Sequence, residues 1–286
     1  MIQTIENKHI EIKVKDFGAE LCSARSKKNN KEYMWQADVN IWPRYSPILF
    51  PIVGELKENY FTYQNKKFEL NRHGFARNSL FELQALEQHQ IVHKLIYNTK
   101  TKSVFPFDFS FLVKHSLRDK TLTVTFDIQN LSNTSMPFSV GGHPAFAVSE
   151  LDKVSIRFNK VPNSPPNLLK RGLISDETLV DIKSKNLTIE KNTFNRDALV
   201  FIKSGIQEAT LIEKGIEILK LSFADMPYFG IWSKPNAPFI CIEPWNGVAD
   251  FWNSTNDLFQ KEGIKILAPY ENFTCGYKIT FYDEVI

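Results

Sequence analysis

Three short stretches carry the side chains best suited to moving protons. Gly141, Gly142, His143, Pro144, Ala145 and Phe146 place an imidazole, the one side chain that titrates near neutral pH, in a stiff local setting. Proline after His143 pushes the histidine to extended backbone, while the two glycines before it permit geometries closed to other residues. A second imidazole, His73, adjoins Gly74 just after the strand-like KKFEL at 66–70. Arg77 follows four residues on, so an imidazole and a guanidinium are positioned to reach one concave surface. In the third stretch, 239–247, Glu243 ends the apolar run FICI, is held extended by Pro244, and is followed by Trp245 and a turn. A glutamate closing a buried strand is costly unless it is paired or used. Each stretch also has an ordinary structural reading: a satisfied core histidine, a solvated loop, a carboxylate paired with an arginine.

The elements that must position these residues read as strand after strand. Leu122, Val124, Phe126 and Ile128 alternate with Thr121, Thr123, Thr125 and Asp127, the period of a half-buried strand leading toward His143. The same period recurs at 10–15, 109–114 and 273–281, and shorter runs appear at 66–70, 81–86, 90–97, 154–158, 198–202, 207–212, 216–223, 228–232 and 239–242. Counted this way there are on the order of twenty strands. Helical periodicity is confined to a short piece over 255–261 that stops at Gly263. So many strands with so few helices predict an all-β fold, a large antiparallel β-sandwich, because one open sheet of that size leaves a face and edges uncovered. The segment 161–178, with three prolines, Asn163 and Asn167, reads as a long surface loop. No repeat or composition shift divides the chain, so a single domain over 1–286 is expected.

Composition excludes other classes. With 43% hydrophobic, 13% aromatic and 23% charged residues and 23 phenylalanines, the chain has ample core material and is not disordered. A net charge of +3 with scattered Lys and Arg gives no track for a nucleic-acid backbone. No apolar run approaches bilayer-spanning length and no apolar leader opens the chain, so a cytoplasmic protein without a membrane partner is expected. Cys22, Cys241 and Cys275 form no close pair and read as buried apolar residues rather than disulfide or zinc-ribbon ligands.

Taken together, HGFAR at 73–77, GGHPAF at 141–146 and IEPWNG at 242–247 resemble, in order, the motifs of the aldose 1-epimerase family, the galactose mutarotase-like proteins. The HGFAR form looks closer to the hexose-6-phosphate epimerase and LacX-like branches than to the galactose enzymes, whose first motif reads HGG. Before it, RYSPILFPIVGEL at 44–56 replaces an arginine-bearing motif of the galactose enzymes, which leaves the sugar open.

The resemblance implies the galactose mutarotase-like supersandwich and a cofactor-free exchange of α and β anomers of a hexose or hexose phosphate. Such a reaction needs a base for the C1 hydroxyl and an acid for the ring oxygen. By similarity Glu243 is the base, His143 the acid, His73 a hydrogen-bonding partner of the ring oxygen, and Asp197 in NRDALVF a ligand of sugar hydroxyls. Trp245, Trp232 and Phe75 are candidates for stacking on the sugar, against ordinary core packing. Arg77 and Arg44 are candidates for an anion clamp on a phosphate; the alternative pairs Arg77 with Glu82 or Glu55 and leaves Arg44 solvated. Two other readings are weighed. A binding or sensory module has no need of Glu243 as a base, and a zinc site of His73, His143 and Glu243 lacks any close ligand spacing.

Overall fold

The structure is a computed structural model that describes residues 1–179 and 182–283. Two large sheets dominate it. One has nine strands, from Asn186–Thr188 through Val154–Phe158, Glu208–Glu213, Ile216–Ser222, Asn272–Phe281, Thr121–Asn130, Phe109–Arg118 and Gln90–Ile96 to Glu82–Glu87. The other has eight, running from Leu173–Thr178 through Asn167–Lys170, Leu199–Ile202, Tyr228–Trp232 and Phe239–Asn246 to Val140–Gly142 and Ile48–Leu49, with Ala145–Ala147 also paired to Phe239–Asn246. Ile2–Glu6, Ile10–Lys15 and Glu20–Ser26 form a separate three-stranded sheet. No helix among the described residues is long and apolar enough to cross a membrane.

Period-two patterning decides which faces meet. In Thr121–Asn130 the residues Leu122, Val124, Phe126 and Ile128 are buried, and Phe126 lies opposite Val113 and Cys275 on the flanking strands. Aromatic rings stitch this face to the eight-stranded sheet: Phe50 packs at 4.7 Å from Phe111, and Phe158 at 5.6 Å from Phe201. The strand Phe239–Asn246 is buried on both faces. Ile240 and Ile242 enter the core between the sheets, while Cys241, Glu243 and Trp245 point the other way. A strand covered on both sides reads as one continuous apolar run, and Glu243 is the exception that stands out from it.

Several expectations need correction. The strand carrying Glu243 does not end there but continues through Pro244 and Trp245 to Asn246. The supposed loop 161–178 contains the hairpin Asn167–Lys170 and Leu173–Thr178. Its prolines all precede the first strand, so they mark an entry rather than a loop. The helical piece over 255–261 shrinks to a 3-10 turn at Leu258–Gln260, and a capped helix stands instead at Thr99–Val104. There Asn98 and Thr101 form reciprocal capping bonds. All three cysteines are free and buried, as expected.

Candidate active site

A break in strand pairing brings His143 and Glu243 together. On one side of Phe239–Asn246, Val140 and Gly141 pair with Asn246 and Trp245, and Ala145 to Ala147 pair with Cys241 to Phe239. Residues 242–244 are left opposite the bend at His143 and Pro144. Pro244, which has no N–H to offer a neighbour, falls within this gap, and the Ile242 N–H donates to the Pro144 carbonyl at 3.3 Å. Across the bend His143 Nε2 lies 3.1 Å from Glu243 Oε2, and both side chains are nearly closed off from solvent. The glycines before His143 serve close approach rather than unusual backbone: a Cβ on Gly141 would stand 2.5 Å from Trp245 Cδ1, and one on Gly230 2.4 Å from Trp245 Cη2. These two positions leave the indole a slot across the flanking strands.

His73 arrives from a turn, four residues beyond the strand Lys66–Glu69, with left-handed backbone at φ 67°. Its own N–H donates to the Gly54 carbonyl at 2.8 Å, and its Nδ1 accepts the Gly54 N–H at 3.1 Å. A neutral ring in this contact carries its proton on Nε2. Its ring stands edge-on to His143 at 5.7 Å. Asp197, two residues before the strand Leu199–Ile202, also has left-handed backbone, at φ 72°. Such conformations cost about 1–3 kcal/mol in a residue with a side chain and gather at functional sites.

The electrostatics follow from burial. Glu243 has its pKa pushed well above the usual carboxylate value, first by burial and then by the charge of Asp197, against a smaller opposing effect of Arg72. His143 is pushed down to about 3 by burial. His73 is held well below its ordinary value by burial, then by His143 and Arg77. Both shifts favour the uncharged forms, carboxyl and imidazole, over the ion pair.

These residues line a cavity of about 270 Å³, the scale of one small molecule. It gathers His73, His143, Glu243, Asp197, Arg77, Trp232 and Trp245 from the sequence reading. Arg44 and Phe75 fall outside it. Arg44 donates to Asn78 Oδ1 at 3.0 Å and is felt only as a nearby charge, and Phe75 packs against Phe50 and Phe109. The arginine that does line the cavity beside Arg77 is Arg72, which the sequence reading passed over although it precedes His73 directly. Its Nε and Nη2 donate to Glu55 Oε2 at 2.9 and 2.6 Å, and its Nη1 is 4.0 Å from Asp197 Oδ2. Trp42 was also missed; its indole stacks on the His143 ring at 5.1 Å.

Neither expected partner reaches Arg77, since Glu55 is taken by Arg72 and Glu82 lies elsewhere. Among the described residues Arg77 forms no ion pair; its Nη2 donates to the Arg72 carbonyl at 2.6 Å and its Nε has no partner. Burial, with Arg44 and Arg72 adding to it, lowers its pKa to about 10. The group best able to hold a metal ion among the described residues is not the two histidines with Glu243. It is His143, Cys241 and Glu243, whose ligand atoms lie within 4.8 Å of one another.

A family model described as aldose 1-epimerase matches residues 1–273. The chromosomal LacX protein of Lactococcus lactis subsp. lactis is 28% identical over 293 residues, covering 96% of this chain and 98% of that one. A galactose mutarotase related enzyme from Lactobacillus acidophilus superposes with a TM-score of 0.95 at 32% identity, over 99% of this chain and 98% of the other. A galactose mutarotase-like protein from Lactobacillus casei superposes with a TM-score of 0.91 at 28% identity, over 99% and 100%.

Proposed function

Because the chain belongs to the aldose 1-epimerase family, we propose that it interconverts the α and β anomers of a hexose by general acid/base ring opening. The observation that carries this reading is the buried 3.1 Å contact between His143 Nε2 and Glu243 Oε2 at a small-molecule cavity. The pair holds one transferable proton. Moved onto His143, it leaves Glu243 as a carboxylate that takes the C1 hydroxyl proton while the imidazolium protonates the ring oxygen. The C1–O5 bond breaks, the aldehyde turns about C1–C2, and the pair is left as neutral carboxyl and neutral imidazole, its resting form. Closure on the other face runs the transfers backward, and one proton shift across the contact resets the roles. His73, with its proton on Nε2, donates to the ring oxygen, and Asp197 accepts from sugar hydroxyls. Trp232 and Trp245 offer apolar faces to the ring. Each positioned transfer is worth about 10²- to 10⁴-fold, sufficient for a reaction that already proceeds in water.

A second reading, a hexose 6-phosphate as substrate, is favoured by Arg77, a largely enclosed guanidinium without an ion partner among the described residues and next to Arg72. NMR exchange between anomer resonances, run over a panel of free and 6-phosphorylated hexoses, tests both. Exchange above the spontaneous rate on at least one sugar is expected. None on any sugar removes the epimerase reading, and equal rates on both classes remove the phosphate one.

A further inference from the structure

Cys241 is absent from the proton chemistry above, yet it sits two residues from Glu243 on the same face of the same strand. It is fully buried, beside Trp35, Phe239 and Ala145, and it does not line the sugar cavity. We propose that Cys241, His143 and Glu243 bind a thiophilic divalent cation, with Zn²⁺ as the reference ion, and that the bound ion switches the epimerase off. This rests on the reading of His143 and Glu243 as the proton-transfer pair.

The donor set is one that zinc takes: a thiolate, an imidazole nitrogen and a carboxylate oxygen. Tetrahedral zinc with bonds of about 2.0–2.3 Å sets its ligand atoms roughly 3.3–3.8 Å apart. The His143–Glu243 contact of 3.1 Å is near that spacing, and the widest separation in the trio, within 4.8 Å, requires about 1 Å of closure. On entry of the ion the Cys241 thiol and the His143–Glu243 pair each release one proton to solvent. Zn²⁺ with one thiolate and one carboxylate is then neutral overall, the charge state a buried site tolerates best. Two of the three donors, His143 and Glu243, line the cavity, the side from which an ion would enter. The proton the pair needs for turnover is gone, and both lone pairs that handled it are bound to metal.

The test uses Co²⁺ and Zn²⁺ on the full chain. Co²⁺ is expected to give a thiolate-to-cobalt charge-transfer band, a readout independent of turnover. Zn²⁺ is expected to suppress anomer exchange at least about tenfold, with recovery on adding EDTA. In Cys241→Ala and Cys241→Ser, each compared with its own metal-free rate and confirmed as folded by circular dichroism, the band is lost. The zinc needed for half-inhibition rises at least about 10- to 100-fold. No band in the unsubstituted chain, or zinc inhibition unchanged in both variants, overturns the proposal. A Cys241-dependent band with exchange at full rate overturns the inhibitory role and, with it, the assignment of the pair. A metal-free chain that exchanges no hexose but forms the band overturns the function proposed above and leaves the cation site standing.

Discussion

Replacing Glu243 with glutamine tests the centre of the argument, because it removes the base while changing almost nothing else. The carboxyl is 2% exposed and carried neutral, so an amide of the same shape takes its place without uncovering a buried charge. Its NH₂ group still donates to His143 Nε2 across the 3.1 Å contact. Thermal stability is therefore expected to stay level or rise, since nothing at this position titrates any longer. Turnover is expected to fall by about 10²- to 10⁴-fold, the loss of one positioned transfer, equivalent to about 2.7–5.4 kcal/mol of barrier. The assay is anomer-exchange NMR at matched protein concentration with the spontaneous rate subtracted, on whichever sugar the unsubstituted chain turns over. A folded variant within a few-fold of the original rate would refute the assignment of Glu243. A variant that fails to fold would refute the claim that the carboxyl is neutral at rest.

His143→Ala is expected to lower exchange more than His73→Ala, because the first removes a proton donor and the second a hydrogen bond; the reverse order in the same assay exchanges their roles. Arg77→Ala is expected to raise KM for a hexose 6-phosphate about tenfold or more and to leave the free hexose within a few-fold, with the difference shrinking in added salt; equal effects on both sugars exclude a phosphate contact. His115, 1% exposed and held down to about 3 by burial and then by His93, bears on acid stability. The unfolded chain binds its proton near pH 6.5 and the native one does not, so stability falls as pH drops from there toward 3, by up to about 1.4 kcal/mol per pH unit. His115→Phe should flatten that slope in denaturant melts at pH 7 and pH 5; an unchanged slope contradicts it.

What was legible in the chain is what local pattern controls. Alternation along Thr121–Asn130 and Asn272–Phe281 reflects one buried face, and the lone carboxylate in FICIEP stood out because both sides of that strand are covered. Contacts between distant segments were not legible. Nothing near Arg72 in sequence marks it as the partner of Glu55, 17 residues earlier, and of Asp197, and nothing near Arg44 marks it for Asn78. The sequence closes the strand at Glu243, where the apolar run FICI stops and Pro244 follows. Its neighbour strand is interrupted at that point, and only the fold reveals the interruption.

The double coverage of Phe239–Asn246 has a consequence for motion. Ile240 and Ile242 belong to the main core, and on the opposite face Glu243 and Trp245 line the cavity. The strand cannot swing away from the cavity without pulling the fully buried Ile240 and Ile242 out of the core between the sheets. Backbone amides at Cys241 and Glu243, which donate within the pairing to Tyr228–Trp232, should exchange with deuterium at rates set by global unfolding rather than by local breathing. The cavity lining also includes the turn at His73 and the hairpin residues Leu169, Gly172 and Ile174, so this strand is the fixed floor beneath them.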